Sequence, residues 1–182
     1  LLLLLLLALA AALGAASPAF AQSKGQWTLG VGVANVNPKS DNGTLTNTPL
    51  GNLKMEVGSS TRPSVTGEYF IRDNLGIEVL AALPFEHDIS VKGVGKIGST
   101  KELPPTFSLQ YHFGKGKVHP FVGAGVNYTT FFSTDTEGAI NGTKLDLSDS
   151  WGLAAHLGID FQVGEKGAIR GDSRWIDIDT KV

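Results

Sequence analysis

From Leu103 to Phe132 the chain reads LPPTFSLQYHFGKGKVHPFVGAGVNYTTFF, and no other stretch constrains its fold as strongly. Leu103, Phe107, Leu109, Tyr111 and Phe113 alternate with Thr106, Ser108, Gln110 and His112. After the turn residues Gly114-Lys115-Gly116-Lys117, a second run sets Val118, Val122, Ala124, Val126 and Tyr128 against Gly123, Gly125, Asn127 and Thr129. Successive side chains of a strand point to opposite faces, so this pattern gives a hairpin with one greasy face and one small, polar face. About ten residues is the length of a strand tilted across an outer membrane, where the greasy face meets lipid.

Five further segments repeat the pattern, which predicts seven strands. The first spans Gln26 to Asn37, the second Arg62 to Ile71, and the third Leu75 to Phe85. The sixth follows Trp151, Leu153, Ala155, Leu157, Ile159 and Phe161, and the seventh runs from Ala168 to about Asp179. Long polar loops (Pro38 to Thr61, His87 to Glu102, Ser133 to Ser148) follow strands one, three and five, and tight turns follow strands two, four and six. Outer-membrane barrels have this asymmetry, with long loops outside the cell and short turns in the periplasm. Aromatic residues gather near the strand ends as interfacial girdles: Trp27, Tyr69, Tyr111, Phe113 and Phe161 at the short turns, and Phe85, Tyr128 and Trp151 at the loops. Bacterial single-chain barrels close with an even number of strands, because an open edge in hydrocarbon leaves backbone groups unpaired. The expected fold is therefore an all-β, eight-stranded antiparallel transmembrane barrel, with its eighth strand beyond Val182 and no stable closure without it.

Residues 1–21, LLLLLLLALAAALGAASPAFA, read as a secretory leader ending in a small-x-small cleavage site. Residues 22–182 form one barrel domain. The absence of Cys excludes a disulfide framework and thiol chemistry, and a net charge of -2 speaks against a nucleic-acid partner. No segment after the leader approaches the ~20 apolar residues of a spanning helix. Twenty-three Gly with a single Met suit a turn-rich β chain.

Several runs resemble the outer membrane protein W family of small eight-stranded barrels. They are Asp73 to Phe85 (DNLGIEVLAALPF), Leu103 to Thr106 (LPPT), Pro120 to Phe132, Asp149 to Gly152 (DSWG) and Trp175 to Asp179 (WIDID), in family order. The resemblance implies an outer-membrane location and a narrow channel for passive uptake of small hydrophobic molecules, with release sideways through the wall. It also implies outer loops that serve some members as a colicin receptor. It places Leu80 at the channel floor and puts Arg174 at the partner floor position, which can be aromatic in the family. Leu80 is also the large apolar residue on the polar face of its strand.

By parity, Glu68, Glu78, His112, His156, Asp160, Arg170, Asp172 and Arg174 point into the barrel together with Leu80. As a function, these charges line the channel and set what passes. As structure, they fill a lumen just wide enough for side chains, where buried charges must pair. Arg170 or Arg174 is expected to pair with Glu68 or Glu78. His87, His112, His119 and His156 lack metal-ligand spacing, and Asp149, Ser150 and His156 lie too far apart along the strand for a triad, so neither a metal, a cofactor nor catalysis is expected. The Gly30-x-Gly32 and Gly123-x-Gly125 pairs are not nucleotide fingerprints, since no helix follows; glycine there makes room inside the barrel.

Three functional readings follow. The first is a channel for small hydrophobic solutes that bypasses the lipopolysaccharide leaflet while sitting in the lipid bilayer. The second is a non-conducting structural or receptor barrel whose loops dock colicins or phage. The third is a soluble periplasmic binder with the greasy face inward.

Overall fold

A computed structural model describes residues 22–39, 44–48, 51–114, 116–136 and 147–178 of the chain. The expected leader lies outside them, as do residues 137–146 with the loop acids Glu137 and Asp146. Eleven strands are present among the described residues: β1 (Trp27–Val36), β2 (Thr44–Thr48), β3 (Gly51–Val57), β4 (Ser60–Arg72), β5 (Leu75–Ala82), β6 (Phe85–Val91), β7 (Gly95–Leu103), β8 (Thr106–His112), β9 (Val118–Thr136), β10 (Ser150–Val163) and β11 (Gly167–Ile176). Every pairing is antiparallel.

The seven expected strands form one wall in the order β1-β4-β5-β8-β9-β10-β11. The wall curls. Arg170 on β11 reaches Glu68 on β4 and Glu78 on β5, far along the strand order, and beyond the wall's two end strands Lys39 lies 3.6 Å from Asp177. Tight turns join the wall strands at one end. Asn74 takes the left-handed conformation (φ 63°) between β4 and β5, and Gly164 does so (φ 74°) between β10 and β11.

Two expected loops are not loops. Pro38 to Thr61 contains β2, β3 and the start of β4, and His87 to Glu102 contains most of β6 and most of β7. β9 outruns the barrel by several residues, and its upper half pairs with β7, which carries β6, β3 and β2 in turn. The polar composition of these segments hid a short alternation. Ile89, Val91 and Ile97 face inward and, with Met55 of β3, form a small apolar core of their own. Glu86 and Asp88 face outward, so β6 presents a polar outer face rather than the apolar belt of the barrel wall.

Phe85 is likewise misplaced by the sequence. It opens β6 and is 1% exposed, so it belongs to no girdle. The other aromatics do lie on the outer surface near the strand ends. Trp27 packs on Tyr69 (centroids 4.9 Å), Tyr111 on Phe113 (4.8 Å), and Tyr128 on Trp151 (4.8 Å) at the opposite end.

The direction of the greasy face decides between a membrane barrel and a soluble one. Leu29, Val31, Ile77, Val79, Leu109, Val122, Leu153, Leu157 and Ile169 all point outward, with Trp151 72% exposed and Ile169 66%. Glu68, Glu78, Ser108, Gln110, His112, Asn127, His156 and Asp160 are buried. A soluble barrel reverses this arrangement; here the apolar belt matches lipid and the charged groups pair with one another inside, while Ser108 Oγ, Gln110 Oε1 and His156 Nε2 have no hydrogen-bond partner among the described residues.

Candidate functional site

The polar interior is built rung by rung from the strand register. Glu68 and Glu78 are cross-strand neighbours, and His156 faces Arg174 as Asp160 faces Arg170. Two carboxylates side by side repel each other and require a cation. Arg170 supplies it from across the lumen: Nη1 donates to Glu78 Oε2 (2.7 Å) and Nη2 approaches Glu68 Oε2 (3.4 Å). The same guanidinium forks onto Asp160 through Nε (2.7 Å) and Nη2 (2.9 Å), and it lies 4.4 Å from the centroid of Phe121. Such planar, multidentate pairing is what arginine offers and lysine cannot.

Arg174 makes a second node. Its Nη2 donates to Glu78 Oε1 (2.6 Å) and Asp172 Oδ2 (2.9 Å) and lies 3.1 Å from His156 Nδ1. Glu78, His156 and Asp172 bring ligand-type atoms within 4.8 Å of one another. The guanidinium nitrogen already bridges all three, so the charge a metal ion would bring there is supplied by the chain itself.

His112 completes the floor. Its Nδ1 lies 2.8 Å from Gln22 Nε2 and 3.5 Å from Asp160 Oδ2, its Nε2 lies 2.8 Å from both Glu68 Oε1 and Gln110 Nε2, and Gln110 Nε2 donates to Glu68 Oε2 (3.0 Å). Glycines make room for these groups. A Cβ at Gly123 would overlap His156 Nε2, one at Gly76 would overlap Glu68, and one at Gly158 would overlap Phe121. His119 stays out of the cluster, its Nε2 2.7 Å from the Gly116 carbonyl on a turn.

Of the residues expected to line a channel, Glu68, Glu78, His112, His156, Asp160, Arg170, Asp172 and Arg174 thus meet in one network. Leu80 stands one rung above Glu78 on the same face, between Thr66 and Thr106. The sequence missed Gln22, Gln110 and Phe121. Gln110 and Phe121 share the inward parity, but neither is charged; Gln22 precedes the first strand and carries no periodic signal.

Immediately above Leu80 the wall is interrupted. The β5–β8 ladder ends at Leu80↔Thr106, and the β6–β7 ladder begins at Phe85↔Glu102. Between them lie Ala81 to Pro84 on one side and Leu103 to Pro105 on the other. Pro84, Pro104 and Pro105 have no N–H to give, which ends a ladder there. Asn127 Nδ2 donates to the Pro105 carbonyl (3.1 Å) and to Thr106 Oγ1 (3.0 Å), drawing that side of the seam inward.

The upper lip of the seam carries a buried pair. His87 Nδ1–H donates to the Gly58 carbonyl (2.7 Å), and Nε2 lies 3.3 Å from Glu102 Oε1. Burial disfavours the imidazolium, but Glu102 and the Gly58 carbonyl outweigh it and hold the pKa of His87 above its ordinary value.

A barrel with a greasy exterior, aromatic girdles, short turns at one end and an ion-paired lumen is an outer-membrane β-barrel. The family comparison is consistent with this, since residues 23–182 match the OmpW family model. The chain belongs to the OmpW family, and its place is the outer membrane. It is 40% identical to outer membrane protein W of Vibrio cholerae, over 96% of this chain and 83% of that protein. The crystal structure of OprG from Pseudomonas aeruginosa matches with a TM-score of 0.75 at 36% identity, covering 88% of this chain and 82% of that one. The dibenzothiophene metabolism operon protein PahQ of Pseudomonas aeruginosa is 27% identical over 91% of this chain and 79% of its own length.

Proposed function

We propose that this barrel passes small hydrophobic molecules passively through the outer membrane, taking them in from the loop side and releasing them sideways into the bilayer at the seam above Leu80. The observation that carries this reading is the juxtaposition of an ion-paired floor with an interrupted wall. An apolar solute that reaches Leu80 meets Glu78 and two arginines directly below, and displacing such contacts leaves buried charges uncompensated at several kcal/mol each. Beside it lies a stretch of wall without a ladder, bordered by Ala81, Leu83, Pro84 and Leu103. The sideways route is the cheaper one. PahQ, whose name ties it to the metabolism of an apolar fused-ring compound, supports the same class of solute. In this reading the surroundings are the lipid bilayer and, on the outer side, lipopolysaccharide.

The test is uptake by cells lacking the protein and by the same cells carrying the complete gene. A small apolar probe such as dibenzothiophene should enter several-fold faster with the protein present, and a hydrophilic solute of similar size should not. Equal apolar uptake in both strains refutes the channel.

The bridge of Arg170 across the lumen favours a second reading as well, in which the barrel conducts nothing and its outer sheet and loops dock colicins or phage. Particle adsorption that depends on the outer sheet, combined with unchanged apolar uptake, is the outcome that selects it.

A further inference from the structure

We propose that His87 and Glu102 form a proton-operated latch on the upper lip of the seam, closed while His87 carries its second proton and released when that proton leaves. The inference rests on the sideways-exit reading above.

Position is the first ground. Phe85↔Glu102 is the first rung above the gap, and His87 sits one inward step further along β6. The latch therefore ties the two strands whose lower ends border the opening, and through the Gly58 carbonyl it also ties them to the segment between β3 and β4. Phe85, fully packed beside the His87 ring (centroids 6.4 Å), shares its fate.

Chemistry is the second. Both side chains are buried, at 3% and 7% exposure. Nδ1 is committed as a donor to Gly58, so Nε2 is the atom that titrates. Protonated, it sets a positive charge 3.3 Å from the Glu102 carboxylate, an ion pair by distance in which Nε2 makes no aligned hydrogen bond. Deprotonated, it puts a lone pair 3.3 Å from Oε1, which repels and leaves a buried carboxylate without its counter-charge. Glu102 of β7 is the attracting group facing His87, and Arg62 of β4 opposes it. Arg62 is itself drawn to Glu86 (3.4 Å). Asp88 pairs with Lys96 (2.9 Å) on the outer face, and Lys101 lies opposite Glu86 in the ladder.

The sign follows from the raised pKa of His87. The pair's contribution is complete below the ordinary value of 6.5 and is lost as pH rises through the higher folded value. The lip is tight in acid and loosens toward alkaline pH.

The test uses the full-length protein in lipid vesicles, with amide hydrogen exchange measured from about pH 5.5 to about pH 8.5 and corrected for intrinsic rates. Protection of the β6 and β7 amides near Phe85, His87 and Glu102 should fall about tenfold or more across this range. Amides of β8 and β10 should hold steady. His87→Gln and Glu102→Gln should each flatten the step, and either variant suffices if the other fails to fold. A flat wild-type profile, or the same step in His87→Gln, overturns the latch. Uptake of a neutral apolar dye by the same vesicles separates the two readings. An exchange step with no uptake at any pH refutes the transport reading while the titrating pair stands. Uptake that ignores pH while the exchange step occurs refutes the latch as a gate.

Discussion

Replacing Arg170 by Met removes a group that touches Glu68, Glu78 and Asp160 together. Their side chains are 2%, 0% and 1% exposed, so water cannot take over the role of the guanidinium. Breaking a buried ion pair by deleting one partner costs about 3–5 kcal/mol. Three acids do not triple this figure, because Glu78 keeps Arg174 (2.6 Å) and Glu68 keeps His112 and Gln110. Asp160 loses most. The expected loss is therefore near the top of the single-pair range, about 5 kcal/mol, or more than three decades in the folded-to-unfolded ratio at about 1.4 kcal/mol per decade. Urea unfolding of the complete protein in vesicles, read by tryptophan fluorescence, measures it directly. Arg170→Lys keeps the charge but loses the fork, and should fall between the two. Adding Glu78→Gln to Arg170→Met should recover part of the loss, with a coupling of at least about 1 kcal/mol. A loss below about 0.5 kcal/mol for Arg170→Met, the size of an indifferent surface change, refutes the reasoning, as does strict additivity of the pair.

Leu109→Arg, on the lipid face midway along β8, should cost about 2–4 kcal/mol in the same vesicle assay. Gly123→Ala drives a methyl into His156 and should cost about 1–3 kcal/mol with loss of the contacts from His156 to Asp172 and Arg174. Gly32→Ala, whose new methyl would meet nothing closer than Ser64 Oγ at 3.8 Å, should stay within about 0.5 kcal/mol of the parent. Leu80→Glu adds a charge where the apolar solute is proposed to turn, and should slow apolar uptake while leaving the heat-resistant folded band on a cold gel in place.

Much of this molecule is legible in its alternation. Period two gave the seven wall strands and the parity of every charged residue in the lumen, because a one-residue slip would put Glu78 or Asp160 in lipid. The expectation that Arg170 or Arg174 pairs with Glu68 or Glu78 needed only that parity and the rule that buried charges are neutralised. The outer sheet was harder to see. Ile89, Val91 and Ile97 are three apolar residues among Asp, Ser, Lys and Gly, too few to stand out without the pairing to β9 that rewards them. Phe85 continues the alternation of the third strand in sequence, but Pro84 before it ends the ladder. The seam has no sequence signal of its own: Pro84 and Pro104-Pro105 are distant in sequence, and only the β5–β8 register brings them opposite one another.

The most direct test of sideways release is to locate the solute. With the complete protein in a bilayer and a small apolar probe carrying a paramagnetic or fluorinated label, NMR contacts should appear at Leu80, Ala82, Leu83 and Leu103, with none at Gln110, His112 or Asp160. Contacts that run down through Gln110 and His112 to the periplasmic turns would show axial passage through the ion-paired floor and contradict release through the wall.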